Sequence, residues 1–98
     1  MRTAEEQIAG LAAVAKIVVA AQCNCVTIER DMPVLTAYHQ PSQSYGPTEV
    51  VYAVDGYDLW VDGEPIVFNQ TAEQASVAVI SEYRFAKSEF ITHRNGLN

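Results

Sequence analysis

The sequence predicts a single α+β domain in which an N-terminal and a C-terminal helix lie on one face of an antiparallel sheet of four to five strands. Three observations carry this expectation. A Thr-x-x-Glu/Gln capping box opens an apolar stripe of helical period near each end of the chain. Short segments of β-rich, alternating character fill the middle. The pairs Asp55-Gly56 and Asp62-Gly63 divide the last of these segments, and Asp-Gly suits a tight hairpin turn because both residues tolerate positive φ.

The first helix begins at Thr3-Ala-Glu-Glu6, where the Thr3 hydroxyl accepts from the Glu6 amide and the Glu6 carboxylate reaches back to the Thr3 amide. At a hundred degrees per residue, Ile8, Leu11, Val14, Ala15, Val18 and Val19 share a face suited to packing on a sheet. Ala9, Ala12, Ala13 and Ala20 leave the back smooth. Helical character gives way near Gln22 to Asn24, and Cys25 to Glu29 then alternates as a half-buried strand. Asp31-Met-Pro33 connects it to a second strand over Val34 to His39. The proline- and serine-rich run from Gln40 to Pro47 reads as a loop.

A three-stranded meander follows, over Glu49 to Val54, Tyr57 to Val61 and Glu64 to Asn69. Two-residue turns at both Asp-Gly pairs set the register. They oppose Val54 with Tyr57, Tyr52 with Leu59 and Val50 with Val61; then Val61 with Glu64, Leu59 with Ile66 and Tyr57 with Phe68. This arrangement gathers Val50, Tyr52, Val54, Tyr57, Leu59, Val61, Ile66 and Phe68 on one face. The other face receives Glu49, Val51, Ala53, Asp58, Trp60, Pro65 and Val67. Pro65 lacks an amide hydrogen and requires an edge position or a bulge. Thr71-Ala-Glu-Gln74 caps the second helix, whose core stripe is Ala72, Ala75, Val79, Tyr83, Ala86 and Phe90, with Ile80 on its flank. Val77 and Phe85 fall outside that stripe. Stop signals stand at Asn95-Gly96, after a predicted end near Ile91.

Composition limits the function. Of 98 residues, 49% are hydrophobic and 18% charged, the make-up of a folded chain with one core. The net charge is −6, and no Lys or Arg occurs between Arg30 and Arg84. Asp31, Glu49, Asp55, Asp58, Asp62, Glu64, Glu73 and Glu82 all lie in that interval. Direct binding of nucleic acid is thereby disfavoured, since its affinity comes largely from cations on phosphate. The order of elements resembles that of the double-stranded RNA-binding domain, but the acidic sheet and loops do not suit that module. The apolar run Ile8 to Ala21 is too short for a membrane span and is preceded by Glu5 and Glu6, unlike a signal peptide, so a cytoplasmic location is expected.

Chemistry-bearing groups are few. Cys23 and Cys25 are too close in sequence to bridge on an extended strand and read as free thiols. With His39 and His93 they have the residue types of a zinc site without its spacing, so no metal or cofactor is expected. Tyr38, His39, Ser42, Ser44 and Glu29 supply ingredients of a nucleophile and base, with no motif that frames them. A pocket along Tyr38 to Tyr45 would make the chain a small enzyme or ligand-binding module, the second reading. A third, a self-associating subunit or homodimer, rests on the alanine face and an uncovered sheet face.

The first reading is a non-enzymatic protein-binding function. Trp60, among aliphatic residues and carboxylates, has the make-up of an interface hot spot with a polar rim. The expected contact set is Trp60, Asp58, Glu49, Val51, Asp55, Asp62, Glu64, Val67 and Tyr45, facing a protein partner with a basic surface. In size, charge and lack of catalytic motifs the whole chain resembles the small acidic inhibitors of phages, including anti-CRISPR proteins and DNA mimics. That resemblance implies a target surface that otherwise holds nucleic acid.

Overall fold

The computed structural model describes residues 2–23, 25–38 and 46–96, with side chains as far as residue 85. Helix α1 spans Ala4–Ala20, the strands are β1 (Val26–Glu29), β2 (Val34–Ala37), β3 (Thr48–Tyr52), β4 (Tyr57–Val61) and β5 (Glu64–Gln70), and helix α2 spans Ala72–Gly96. The five strands form one antiparallel sheet in sequence order, so β1 and β5 are its edges. Both helices contribute to the same buried cluster and therefore cover the same face, called inner below. The fold expected from the sequence is the one observed.

Capping chemistry starts both helices where the sequence places them. The Glu6 amide donates to the Thr3 hydroxyl at 3.1 Å, although the Glu6 carboxylate meets that hydroxyl rather than the Thr3 amide. At α2 the exchange is reciprocal: the Gln74 amide donates to the Thr71 hydroxyl (3.1 Å) and the Thr71 amide to Gln74 Oε1 (3.0 Å). Helix α1 closes in a Schellman turn, with Gln22 at φ 67° and the Cys23 and Gln22 amides donating to the carbonyls of Val18 and Val19. Helix α2 continues past Ile91 to Gly96.

Leu11, Val14 and Val18 of α1, Leu35, Val50 and Leu59 of the sheet and Ala75 and Val79 of α2 are buried together. Each large aliphatic side chain so buried is worth about 1.5–3 kcal/mol. Val19 departs from expectation: it is 49% exposed, whereas Val18 before it is fully buried. Val77 and Phe85 lie outside the stripe as read; Ala86 and Phe90 fall outside the described side chains.

The predicted register of the meander is corrected twice. Between β3 and β4 the partners are Tyr52 with Tyr57, Val50 with Leu59 and Thr48 with Val61, two residues displaced from the expected pairing. The connection is thus the four residues Ala53 to Gly56, closed by the Ala53 amide donating to the Gly56 carbonyl (2.8 Å). An even displacement preserves the faces, so Val50, Tyr52, Tyr57 and Leu59 still point inward. The gain from the displaced pairing is visible at the tyrosines. Their rings stack at 4.2 Å, the Tyr57 hydroxyl donates to the Gly10 carbonyl of α1 (2.9 Å), and the Arg2 guanidinium lies 3.8 Å from the Tyr52 ring centroid.

The second turn is the tight one expected, with Asp62 and Gly63 both at positive φ and Val61 opposite Glu64. Trp60 then opposes Pro65, but Leu59 opposes Val67 and Tyr57 opposes Gln70, so β5 carries two extra residues. Ile66 is the first, next to the proline that cannot complete the ladder. The second lies at Phe68-Asn69, where Asn69 takes a φ of 57° and donates its amide to the Asp58 carboxylate (3.0 Å). An odd displacement reverses faces. Val67 turns inward against the core, and Ile66 and Phe68 leave it, at 53% and 51% exposure.

Two predictions follow from this packing. A Cβ at Gly10 would collide with the Tyr52 ring, which Tyr57 and Arg2 hold in place. Gly10→Ala should therefore lose more to over-packing, about 1–3 kcal/mol, than the roughly 1 kcal/mol it gains in helix propensity. Denaturant unfolding would show a lower midpoint. Secondly, burial pushes the Cys23 thiol up, against a weaker downward pull from Arg84, and burial followed by Tyr52 pushes the Tyr57 phenol up against Arg2. Both groups hold their protons more tightly when folded. Their contribution is complete below the ordinary thiol range near 9.0 and is lost as pH rises through the raised values. Stability should decline above that range, and the decline should be shallower in Cys23→Ala, Tyr57→Phe.

Candidate functional site

Because both helices take the inner face, the outer face of the sheet carries the polar and aromatic residues of alternate parity. Val34 pairs with Glu29 across β1–β2 and lies beside Val51, since Leu35 opposes Val50. Glu49 stands directly between Thr36 of β2 and Trp60 of β4, and Val51 directly opposes Asp58. Directly opposed residues bring their Cβ atoms to about 4.5–5.5 Å. Trp60 and Glu49 are thus immediate neighbours on the outer face, both half-buried.

These residues bound a groove of about 610 Å³. Trp60, Val51 and Val34 form its apolar floor. Asp31, Met32 and Pro33 of the β1–β2 connection close one side, Gly63 marks the other end, and Glu49 and Asp31 are its charged groups among the described residues. On the β5 side of Trp60, Phe68 meets the indole in an edge arrangement, with ring centroids 5.9 Å apart and planes at 82°. Such a contact contributes about 0.5–1.5 kcal/mol beyond burial and fixes the indole's tilt. Met32 is 80% exposed, so apolar surface extends from the groove to its rim.

Of the residues expected to form a contact surface, the structure brings Trp60, Glu49 and Val51 together in the groove and sets Asp58 beside them on the same face. Asp62 is exposed at the turn that ends in Gly63. Asp55 is exposed in the Ala53 to Gly56 loop, and Glu64 opposes Val61 at the tip of β4–β5, so neither borders the groove. Val67 is a correction: the bulge at Ile66 moves it to the inner face, where it packs on the core. Tyr45 lies outside the described residues, as does most of the Tyr38 to Tyr45 segment and His39 within it; Tyr38 itself is exposed.

Sequence reasoning missed Asp31, Met32, Pro33 and Val34 on one side and Ile66 and Phe68 on the other. The first group was within reach, because a strand at Val34 adjacent to β3 presents alternate residues to the same side as Val51. The second required knowing where the β5 ladder slips, and Pro65 was its only signal. Among the described residues no ion pair neutralises Glu49, Asp58 or Asp62. Both cysteines are free, and among the described residues no group of three or more His, Cys, Asp and Glu side chains is arranged to hold a metal and no helix is long and apolar enough to cross a membrane.

No family model, curated protein or solved structure matches the chain.

Trp60 and Leu59 are adjacent in sequence and opposite in environment, which separates binding from stability. Leu59→Ala removes a side chain only 1% exposed and should cost about 2–5 kcal/mol. Trp60→Ala loses the Phe68 contact and partial burial only, and should cost clearly less in the same urea titration.

Proposed function

We propose that the chain is a small acidic, non-enzymatic binding protein whose outer sheet face docks on a protein partner with a basic surface. The observation that carries this reading is the composition of that face. A half-buried tryptophan and aliphatic floor are combined with the carboxylates of Glu49 and Asp58, which no ion pair among the described residues neutralises, and neither Lys nor Arg lies between Arg30 and Arg84. A desolvated aromatic supplies affinity, whereas a one-sign field accelerates encounter and selects the partner. The same charge disfavours a second copy as the occupant, because apposing two such faces would bring like carboxylates together at low dielectric.

A surface complementary to this face is one that otherwise binds phosphate. On that ground the protein acts as an inhibitor that occupies a nucleic-acid-binding surface, in the manner of the small acidic phage inhibitors it resembles in size and charge.

The test is retention of proteins from a native-host lysate on the immobilised chain, repeated with Trp60→Ala and with Glu49→Lys. A retained protein should be released as salt rises from about 50 to 500 mM, as the Debye length shortens. It should also be lost with either variant and displaced by added DNA or RNA. Retention that survives both variants, or that ignores salt, would overturn the assignment to this face. Sedimentation that shows concentration-dependent dimers abolished by Trp60→Ala would assign the face to self-association instead.

A further inference from the structure

The groove specifies more than positive charge. Its central feature is a cross-strand pair of unlike residues: the Glu49 carboxylate and the Trp60 indole are direct neighbours on β3 and β4, and both line the cavity. Phe68 occupies the β5 side of the indole, while the groove opens on the β2–β3 side. Val34 and Val51 make the floor apolar, and Asp31 places a second carboxylate at the wall.

Few side chains match this set. A purely aliphatic anchor would leave the Glu49 carboxylate desolvated without a partner, which is costly for a charged group. An aspartate or glutamate would meet like charge. A lysine ammonium would satisfy the carboxylate, but it is compact and strongly hydrated, and it gives up water poorly against the valines and the indole. A guanidinium is planar and more weakly hydrated. It lies flat on an aromatic ring while its edge presents two parallel N–H donors to a carboxylate. Its three-methylene stem is suited to the aliphatic floor.

We infer that the groove is an arginine-recognition site, in which a partner's arginine stacks on Trp60 and pairs with Glu49, and Asp31 receives a neighbouring cation. This rests on the proposed docking role of the outer face and names the side chain that the face selects.

The chain contains one tryptophan, so intrinsic fluorescence reports on the groove directly. The probes are three blocked peptides in which leucine alternates with one test residue: arginine, lysine, or citrulline, the uncharged isostere of arginine. The arginine peptide should perturb Trp60 emission saturably and bind about fivefold more tightly than the lysine peptide, the difference expected of stacking plus a bidentate pair. Citrulline should fail to saturate. Glu49→Gln should lower the arginine preference below that of the parent, while circular dichroism and the urea midpoint stay unchanged.

Equal affinity for the arginine and lysine peptides would overturn the arginine assignment and leave the basic-partner reading standing on its salt dependence. Binding of citrulline as tight as arginine would overturn both, since charge would then be irrelevant. An emission maximum already fully blue-shifted and insensitive to acrylamide in the free protein would show that another part of the chain fills the groove, and would also overturn the proposal.

Discussion

Where α1 crosses the β3–β4 hairpin, the helix has no side chain at Gly10, and the Tyr52 ring lies against that bare stretch of backbone. Tyr57 stacks beneath it and anchors its hydroxyl on the Gly10 carbonyl; Arg2 covers the outer ring and ties its Nε to the Ala53 carbonyl at 2.8 Å. This close approach sets how near the helix comes to the sheet and holds Tyr52 opposite Tyr57. Every cross-strand partner of β4 on the β3 side then follows, including the juxtaposition of Glu49 with Trp60. The geometry of the outer groove is therefore set from the inner face, through the thickness of the sheet.

The opposite edge is organised by a defect. Pro65 cannot donate to a neighbour, and the ladder slips by one residue at Ile66 and again at Phe68-Asn69. The second slip is stabilised by the Asp58 carboxylate, which accepts the amide of Asn69 in its left-handed conformation. These bulges exchange an aliphatic for an aromatic on each face: Val67 joins the core, and Phe68 turns out to brace Trp60. They also interrupt the free side of β5, which an uninterrupted edge would offer for strand addition.

The electrostatic design is consistent with that division. The helices and the inner face form an apolar core whose few polar groups are satisfied internally, as where the Ser76 hydroxyl donates to the Ala72 carbonyl at 2.6 Å. The carboxylates of the sheet and its connections are held to the turns and the outer face, where water reaches them. Asp58 has both a structural bond and a place beside the groove, so a change there acts on the β5 bulge as well as on the field.

The order of elements, both capping boxes, the inward faces of β3 and β4 and the outward placement of Trp60, Glu49, Val51 and Asp58 were legible in the sequence. They depend on local chemistry: a hydroxyl three residues before an acceptor, a period of two, and a charge run that no cation interrupts. The spacing of Asp55-Gly56 did not reveal a four-residue loop, because the choice between two registers of equal parity was made by the contact of Tyr52 and Tyr57 with Gly10, which precedes Tyr57 by 47 residues. Val67 and Phe68 could not be assigned for a similar reason. A proline announces that a ladder must fail, but the strand it pairs with and the helix above it decide where the slack is taken up. Parity is a property of the chain by itself, whereas register is a property of what the chain is pressed against.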